Sequence, residues 1–261
     1  MRIVGVVDGD TVVLADGREV RMIGIQAPKL PLGRKGFEAW PLSPEAKARL
    51  VALSKGRDAR LRYGGAREDR HGRMLAHIFV SSAQGEVWLQ QQMLAEGLAR
   101  VYTFPDNRSC ASELLQAEQK ARAAARGIWR DPYYAIRKAQ DVDALERLEG
   151  RYELVEGMVT SASLVRDRLY LNFGSDYRTD FTVTVNERDI KLFQRTEPWT
   201  FILAQARSGG RDLAALAETT LRIRGWLGQY NGPEIVVTHP EQIEFAGASA
   251  QKNIRELNAG R

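Results

Sequence analysis

Val4-Gly5-Val6-Val7-Asp8-Gly9-Asp10-Thr11-Val12-Val13-Leu14 is the stretch on which the fold turns. An apolar run enters a glycine flanked by two carboxylates, and a second apolar run leaves it. That is strand, tight turn, strand. Ala15-Asp16-Gly17-Arg18 carries the Asp-Gly hairpin signature. Glu19 to Ile25 then predicts a third strand, so the chain opens on a three-stranded meander. Pro28, Pro31 and Gly33 break the pattern into a loop running to Pro41. The next helix is well marked. Ser43 is expected as its N-cap, with Pro44 at the first helical position, Glu45 in the first turn and Gly56 as the stop. Ala46, Leu50 and Leu53 form its apolar stripe.

Ala59–Tyr63 and Met74–Val80 predict two more strands around the polar stretch Gly64–Arg73. Val87–Glu96 and Cys110–Arg126 predict two more helices, after which Ile128-Trp129 returns to an apolar surface. Five strands and three helices in this order make a small closed barrel with helices packed on it. Residues 131–150 mix charges with Pro132 and are expected to be a linker. From Tyr152 the chain is strand-rich again, and Leu169–Phe173 and Asp180–Val185 alternate with period two. Asp189–Gln194 predicts a short helix. Ser208-Gly209-Gly210 is expected to be a loop before a weak helix over Leu213–Leu216. Residues 246–261 have no period and read as a mobile tail. The fold class is therefore mainly β with helices, α+β, as two tandem small barrels over 1–130 and 151–245.

The chain has 261 residues, 44% hydrophobic and 27% charged, which is the balance of a soluble globular protein. No apolar run approaches the ~20 residues that span a bilayer. Met1 leads straight into the first strand without a leader pattern, leaving both a cytoplasmic location and export after leader removal open. The single cysteine, Cys110, rules out an intrachain disulfide and reads as a small buried hydrophobe. The net charge of +5 lies wholly in the first part: residues 1–150 hold 24 Lys and Arg against 19 acids, and residues 151–261 hold 14 against 14. Lys55 to Arg73 is densest, with seven cations and three acids. Such a stripe suits a polyphosphate partner through counterion release.

Three pieces carry chemistry: the Asp8–Thr11 turn, Arg21 with the corner Gln26-Ala27-Pro28-Lys29, and Asp69-Arg70-His71-Gly72-Arg73. Phosphodiester hydrolysis needs a hard cation held by oxygens, guanidiniums on the phosphate, a base for water, and an open cleft. Asp10 suits the first job, and Arg21 and Arg73 the second. The plainer reading of Asp8 and Asp10 is turn chemistry. His71, His77 and His239 have no metal-ligand spacing, and His71 reads as an exposed loop residue.

Over residues 3–129 these motifs resemble the staphylococcal nuclease (thermonuclease) family: Asp8-Gly9-Asp10-Thr11, Arg21 with the Pro28 corner, Ser43-Pro44-Glu45-Ala46, and Asp69 with Gly72-Arg73. The resemblance implies an OB-type barrel with three helices and calcium-dependent cleavage of DNA or RNA. It makes Asp10 a calcium ligand and Arg21 and Arg73 the catalytic arginines, with Asp69 supporting the loop. The corner departs from the family's Asp-Thr-Pro-Glu. Gln26 stands at the second carboxylate ligand, Ala27 offers only its backbone carbonyl, and Lys29 replaces the glutamate that assists the attacking water. Like charges ~4–6 Å apart at an effective dielectric near 20 repel by about 3–4 kcal/mol. Lys29 is thus expected to weaken calcium binding, while Arg21, Lys29 and Arg73 together would hold a polyanion without metal. Glu38 or Glu45 restores the carboxylate count only by folding inward.

Three readings follow: a metal-dependent endonuclease with weakened or altered catalysis, a degenerate barrel that binds DNA or RNA in single-stranded form without cutting, and a scaffold for a protein partner. Arg60, Arg62 and Arg70 are the candidate nucleic-acid contacts of the first half. In the second, Arg222, Arg224 and Trp226 alternate with Leu221, Ile223 and Leu227, which predicts two cations and an indole on one strand face, the stacking arrangement of single-strand binders.

Overall fold

The computed structural model describes residues 1–83, 85–209, 213 and 216–247. It is α+β and divides into two compact units, Met1–Ala135 and a second beginning at Ile136.

In the first unit β1 (Ile3–Asp8), β2 (Thr11–Leu14) and β3 (Glu19–Met22) form the expected antiparallel meander. The third strand is shorter than its apolar run suggested. Gly24 adopts φ +79°, a left-handed conformation that a glycine reaches without penalty. This breaks the run and starts β4 (Gly24–Gln26), which leaves the main sheet to pair with β8 (Arg100–Tyr102). The main sheet runs β1-β2-β3-β6-β5, with β5 over Ala59–Arg62, β6 over Met74–Ser82 and β7 (Gly85–Trp88) on the far side of β6. Beyond β5 the path returns to β1. The Ile3 N–H donates to the Arg57 carbonyl at 3.0 Å, and the Ala59 N–H to that of Met1. These bonds close the sheet on itself and satisfy an edge that would otherwise be left open.

Three helices cover the barrel: α1 (Ser43–Ser54), α2 (Leu89–Ala95) and α3 (Ala111–Ala123). Their buried faces (Ala46, Leu50 and Leu53; Leu89, Met93 and Leu94; Leu114 and Ala117) join Ile3, Val12, Val20, Met22 and Ile78 in one core. Details differ from expectation at the helix ends. Ser43 is the first helical residue, not the cap. Leu42 precedes it in left-handed conformation, and the buried Ser43 hydroxyl has no hydrogen-bond partner among the described residues. Val87 and Trp88 belong to β7, because they pair with β6 before the helix begins. Cys110 is exposed just ahead of α3, so it is not a core residue.

The stretch expected as a linker is built into structure. Pro132–Tyr134 forms a helical turn of the first unit, and β9 (Arg137–Lys138) and α4 (Val142–Glu146) belong to the second. There β10 (Tyr152–Met158), β11 (Ser161–Val165), β12 (Arg168–Asn172), β13 (Thr182–Val185), β14 (Thr220–Gln229), β15 (Pro233–Val237) and β16 (Ile243–Phe245) form one sheet of order β11-β12-β13-β15-β14-β10-β9. β16 adds to β14. Helices α5 (Glu187–Phe193) and α6 (Trp199–Gly209) help bury Phe173, Phe181, Trp199, Ile202 and Ile223 in a second core. Ser208 and Gly209 are helical, contrary to the loop expected there. Gly210, Ala214, Ala215 and the tail from residue 248 lie outside the described residues. No described helix is long and apolar enough to cross a membrane.

His77, on β6, is 3% exposed, and neither ring nitrogen has a hydrogen-bond partner among the described residues. Its ring meets Trp88 edge-on at 5.2 Å. Burial pushes the imidazole below its ordinary value of 6.5, partly offset by the Ser109 backbone and Glu113. The unfolded chain therefore binds more protons than the folded one as pH falls through 6.5. Stability of the first unit is expected to be full above that pH, to drop below it, and to level off under the folded-state pKa. Melting curves between pH 7.5 and 5 on the wild type and His77→Phe check this, and the variant's profile should be flat across that window.

Candidate functional site

The β1–β2 turn, the end of β3 and the loop after β4 meet on one side of the first unit. Gly9 brings them together: a Cβ there would lie 2.6 Å from the Ala27 Cβ and 2.9 Å from that of Ala46. Only a residue without a side chain lets the turn pack this closely on both the corner and α1.

Asp10 is fully buried at the centre. One carboxylate oxygen accepts from the Ala27 N–H at 2.7 Å and the Lys29 ammonium at 2.7 Å. The other accepts from Lys29 at 2.8 Å and lies 3.3 Å from the Arg21 guanidinium. Lys29 reaches a third oxygen, on Asp8, at 3.3 Å. Burial opposes the charge on Asp10, but Arg21 and Lys29 more than overcome it and hold the carboxyl well below its usual range. Asp8 moves the other way: burial and the neighbouring Asp10 charge raise it, with Lys29 opposing. The pair thus splits, Asp10 remaining anionic while Asp8 takes the first proton.

Arg21 does not point outward. Its guanidinium donates to the Met22 carbonyl at 2.6 Å and the Ile25 carbonyl at 2.8 Å, which pins the strand break before β4. Gln26 is turned away from Asp10: its amide oxygen accepts from buried Arg100 at 2.9 and 2.7 Å. Arg100 in turn lies over the Trp40 and Tyr134 rings. Arg73 donates to Asp69 at 2.8 Å. Burial of Asp69 is outweighed by this bond and by the Arg73 and His71 backbone N–H groups, so its carboxyl is lowered. Arg21, Lys29 and Arg73 are therefore each matched to an acid. The expectation was that the three together would hold a polyanion; here each is engaged by a carboxylate.

Calcium takes six to eight oxygens at about 2.3–2.6 Å, and these residues do not fit it. Both oxygens of Asp10 are bonded to Lys29, the oxygen of Gln26 is committed to Arg100, and the Ala27 carbonyl alone is no site. Glu38 and Glu45 are exposed. Among the described residues no group of three or more His, Cys, Asp or Glu comes together as a metal site. Reading the sequence missed both partners that decide this: Asp8 as a second acceptor for Lys29, and Arg100 as the group that claims Gln26. The Asp-Gly-Asp motif held the signal for the first, and nothing local marks the second.

The other candidates are dispersed. Arg60 chelates Glu86 and, like Arg62, sits over the Phe79 ring, which stacks on Trp88 at 5.8 Å. Arg62 and Arg70 are exposed with no carboxylate partner among the described residues, and Arg70 donates to His71 at 3.1 Å. In the second unit Arg222 pairs with Glu156 and Glu244. Arg224 is fully buried against Glu244, so the expected face of two cations and an indole does not form. Trp226 is 51% exposed and meets Tyr152 edge-on.

Residues 19–131 match the family model described as staphylococcal nuclease homologue. The chain is 28% identical over 131 residues to the thermonuclease of Staphylococcus hyicus, covering 49% of this chain and 74% of that protein. It is 32% identical over 117 residues to the probable staphylococcal-like nuclease CAN1 of Oryza sativa, covering 45% of this chain and 30% of that one. Endonuclease YncB of Bacillus subtilis is 28% identical over 137 residues, covering 51% and 62%.

Proposed function

Because residues 19–131 are a staphylococcal-nuclease-like segment, we propose that the first unit binds single-stranded nucleic acid and does not cleave it by calcium-assisted hydrolysis. The observation that carries this is the Lys29 ammonium, 2.7 and 2.8 Å from the two oxygens of Asp10. A cation already holds the carboxylate that a metal would need. The same residue replaces the carboxylate that would take a proton from water, a loss typically worth about 10²–10⁴ in rate.

Binding draws on a different part of the unit. Arg62 and Arg70 are exposed without carboxylate partners among the described residues, and Arg67 lies 4.8 Å from the Tyr63 ring centroid. Guanidiniums beside aromatic rings suit a flexible strand, whose phosphates they neutralise and whose bases find rings to stack on.

Fluorescence anisotropy with labelled single-stranded DNA and RNA across a salt series, beside a gel assay in calcium or chelator, tests both halves. Affinity is expected to fall steeply with salt, and Arg62→Ala/Arg70→Ala to weaken it about 10-fold while flattening the slope by one to two phosphate contacts. Cleavage should be the same in calcium and in chelator. Calcium-stimulated cutting overturns the non-cutting half, and absence of salt-sensitive binding overturns the other.

A further inference from the structure

An ammonium has three donors, and that of Lys29 faces three carboxylate oxygens: both of Asp10, at 2.8 and 2.7 Å, and one of Asp8, at 3.3 Å. A single positive centre thus bridges the carboxylates at the end of β1 and in the turn that follows it. That is the electrostatic task of a bridging metal ion, performed at hydrogen-bond rather than coordination distance. From this tripod we infer that Lys29 is the resident cation of the site, a tethered substitute for a divalent ion. The inference deepens the non-cutting reading above and rests on the segment being nuclease-like.

The surroundings agree with a site organised for one cation and already holding it. Asp10 is fixed from behind by the Ala27 N–H at 2.7 Å and Asp8 by the Asp10 N–H at 3.2 Å, so both carboxylates are oriented independently of Lys29. The Lys29 stem reaches them from the loop after β4, across a corner that Gly9 keeps narrow. A tethered ammonium is present at effectively constant local concentration. A free divalent ion must expel it and leave it near two positive charges, its own and that of Arg21.

Two consequences follow. Wild-type protein takes up no calcium or manganese at this position, and its nucleic-acid binding is the same with metal or chelator. Removing the ammonium exposes two preoriented carboxylates, so Lys29→Met, which keeps the apolar stem, and Lys29→Ala gain a divalent site. With two carboxylates its affinity is expected near the weak end for calcium, about 10⁻⁴–10⁻³ M.

The experiment is thermal melting and isothermal titration of full-length wild type, Lys29→Met and Lys29→Ala with calcium and with manganese up to about 10 mM. The expected result is an unmoved wild-type melting temperature, lower melting of both variants without metal, and recovery of several degrees on adding it. Lys29→Met/Asp8→Asn should lose the recovery. Wild type that binds as tightly as the variants overturns the inference, since the ammonium then yields to metal. Variants that bind no metal, or stay unfolded in its presence, overturn it as well, since the carboxylates are then no cation site. The non-cutting reading stands or falls separately: it fails only if wild type cuts nucleic acid when calcium is added.

Discussion

Asp10→Ala is expected to destabilise the first unit by about 3–5 kcal/mol, the cost of breaking a buried ion pair by removing one partner. The substitution deletes the acceptor for the Ala27 N–H, both short contacts of Lys29 and the carboxylate beside Arg21. Arg21 keeps its carbonyl partners. Lys29, whose side chain is only 20% exposed, keeps one longer contact to Asp8. Much of the loss is therefore the orphaned ammonium, and Asp10→Ala/Lys29→Ala should recover about 1–2 kcal/mol of it, a positive coupling between contacting residues. Asp10→Asn keeps an acceptor for Ala27 but not the charge, and is expected to cost about 2 kcal/mol. Urea denaturation gives these differences. Hydrogen exchange of β1, β2 and β3 must accompany it, because two units need not unfold together. A loss under 1 kcal/mol, or additive single substitutions, would mean that Lys29 and Asp10 are not coupled.

What could be read in the chain divides by the range of the interactions. The meander and its two turns are local, set by short apolar runs and Asp-Gly signals, and β1 to β3 form where these put them. The break at Gly24 hid inside a continuous apolar run, Met22-Ile23-Gly24-Ile25, because a left-handed glycine leaves no mark on hydropathy. Closure of the sheet by residues 57–59 against β1 is a contact across the barrel that no window of sequence contains. Lys29 shows a subtler gap. Its nearness to Asp10 is legible from the motif, where its charge reads as repulsion toward a neighbouring divalent ion. With the ammonium in that ion's place, the same charge is an attraction toward Asp8 and Asp10. Spacing located the residue, but only side-chain geometry tells a neighbour of the cation from the cation itself. Gln26 failed to serve as a ligand for a similar reason: its competing partner, Arg100, is distant in sequence and joins it only through the β4–β8 pairing.

The sharpest case is Arg224, and Arg224→Ala is expected to cost the second unit about 3–5 kcal/mol without changing nucleic-acid affinity. Alternation along β14 puts Arg222, Arg224 and Trp226 on one face, which suggested a binding surface. Alternation reports the side of a strand but not what covers that side. Here β16 pairs with the first half of β14, setting Arg222 opposite Glu244. On that face Trp226 is half exposed, Arg222 partly so, and Arg224 fully buried and bonded to Glu244. Truncation removes one of the largest fully buried side chains, opens a cavity, and takes from Glu244 its bond to Arg224. Arg222→Ala, whose cation reaches solvent, should cost only about 1 kcal/mol. Arg224→Met with Glu244→Leu should recover most of the loss, because a well-packed apolar pair often matches a buried ionic one. Melting curves and anisotropy on the same preparations separate the two roles. Lower affinity at an unchanged melting temperature would return Arg224 to a binding surface. Lower stability at unchanged affinity would leave Trp226, the most exposed of the three, as the group through which this face could meet a base.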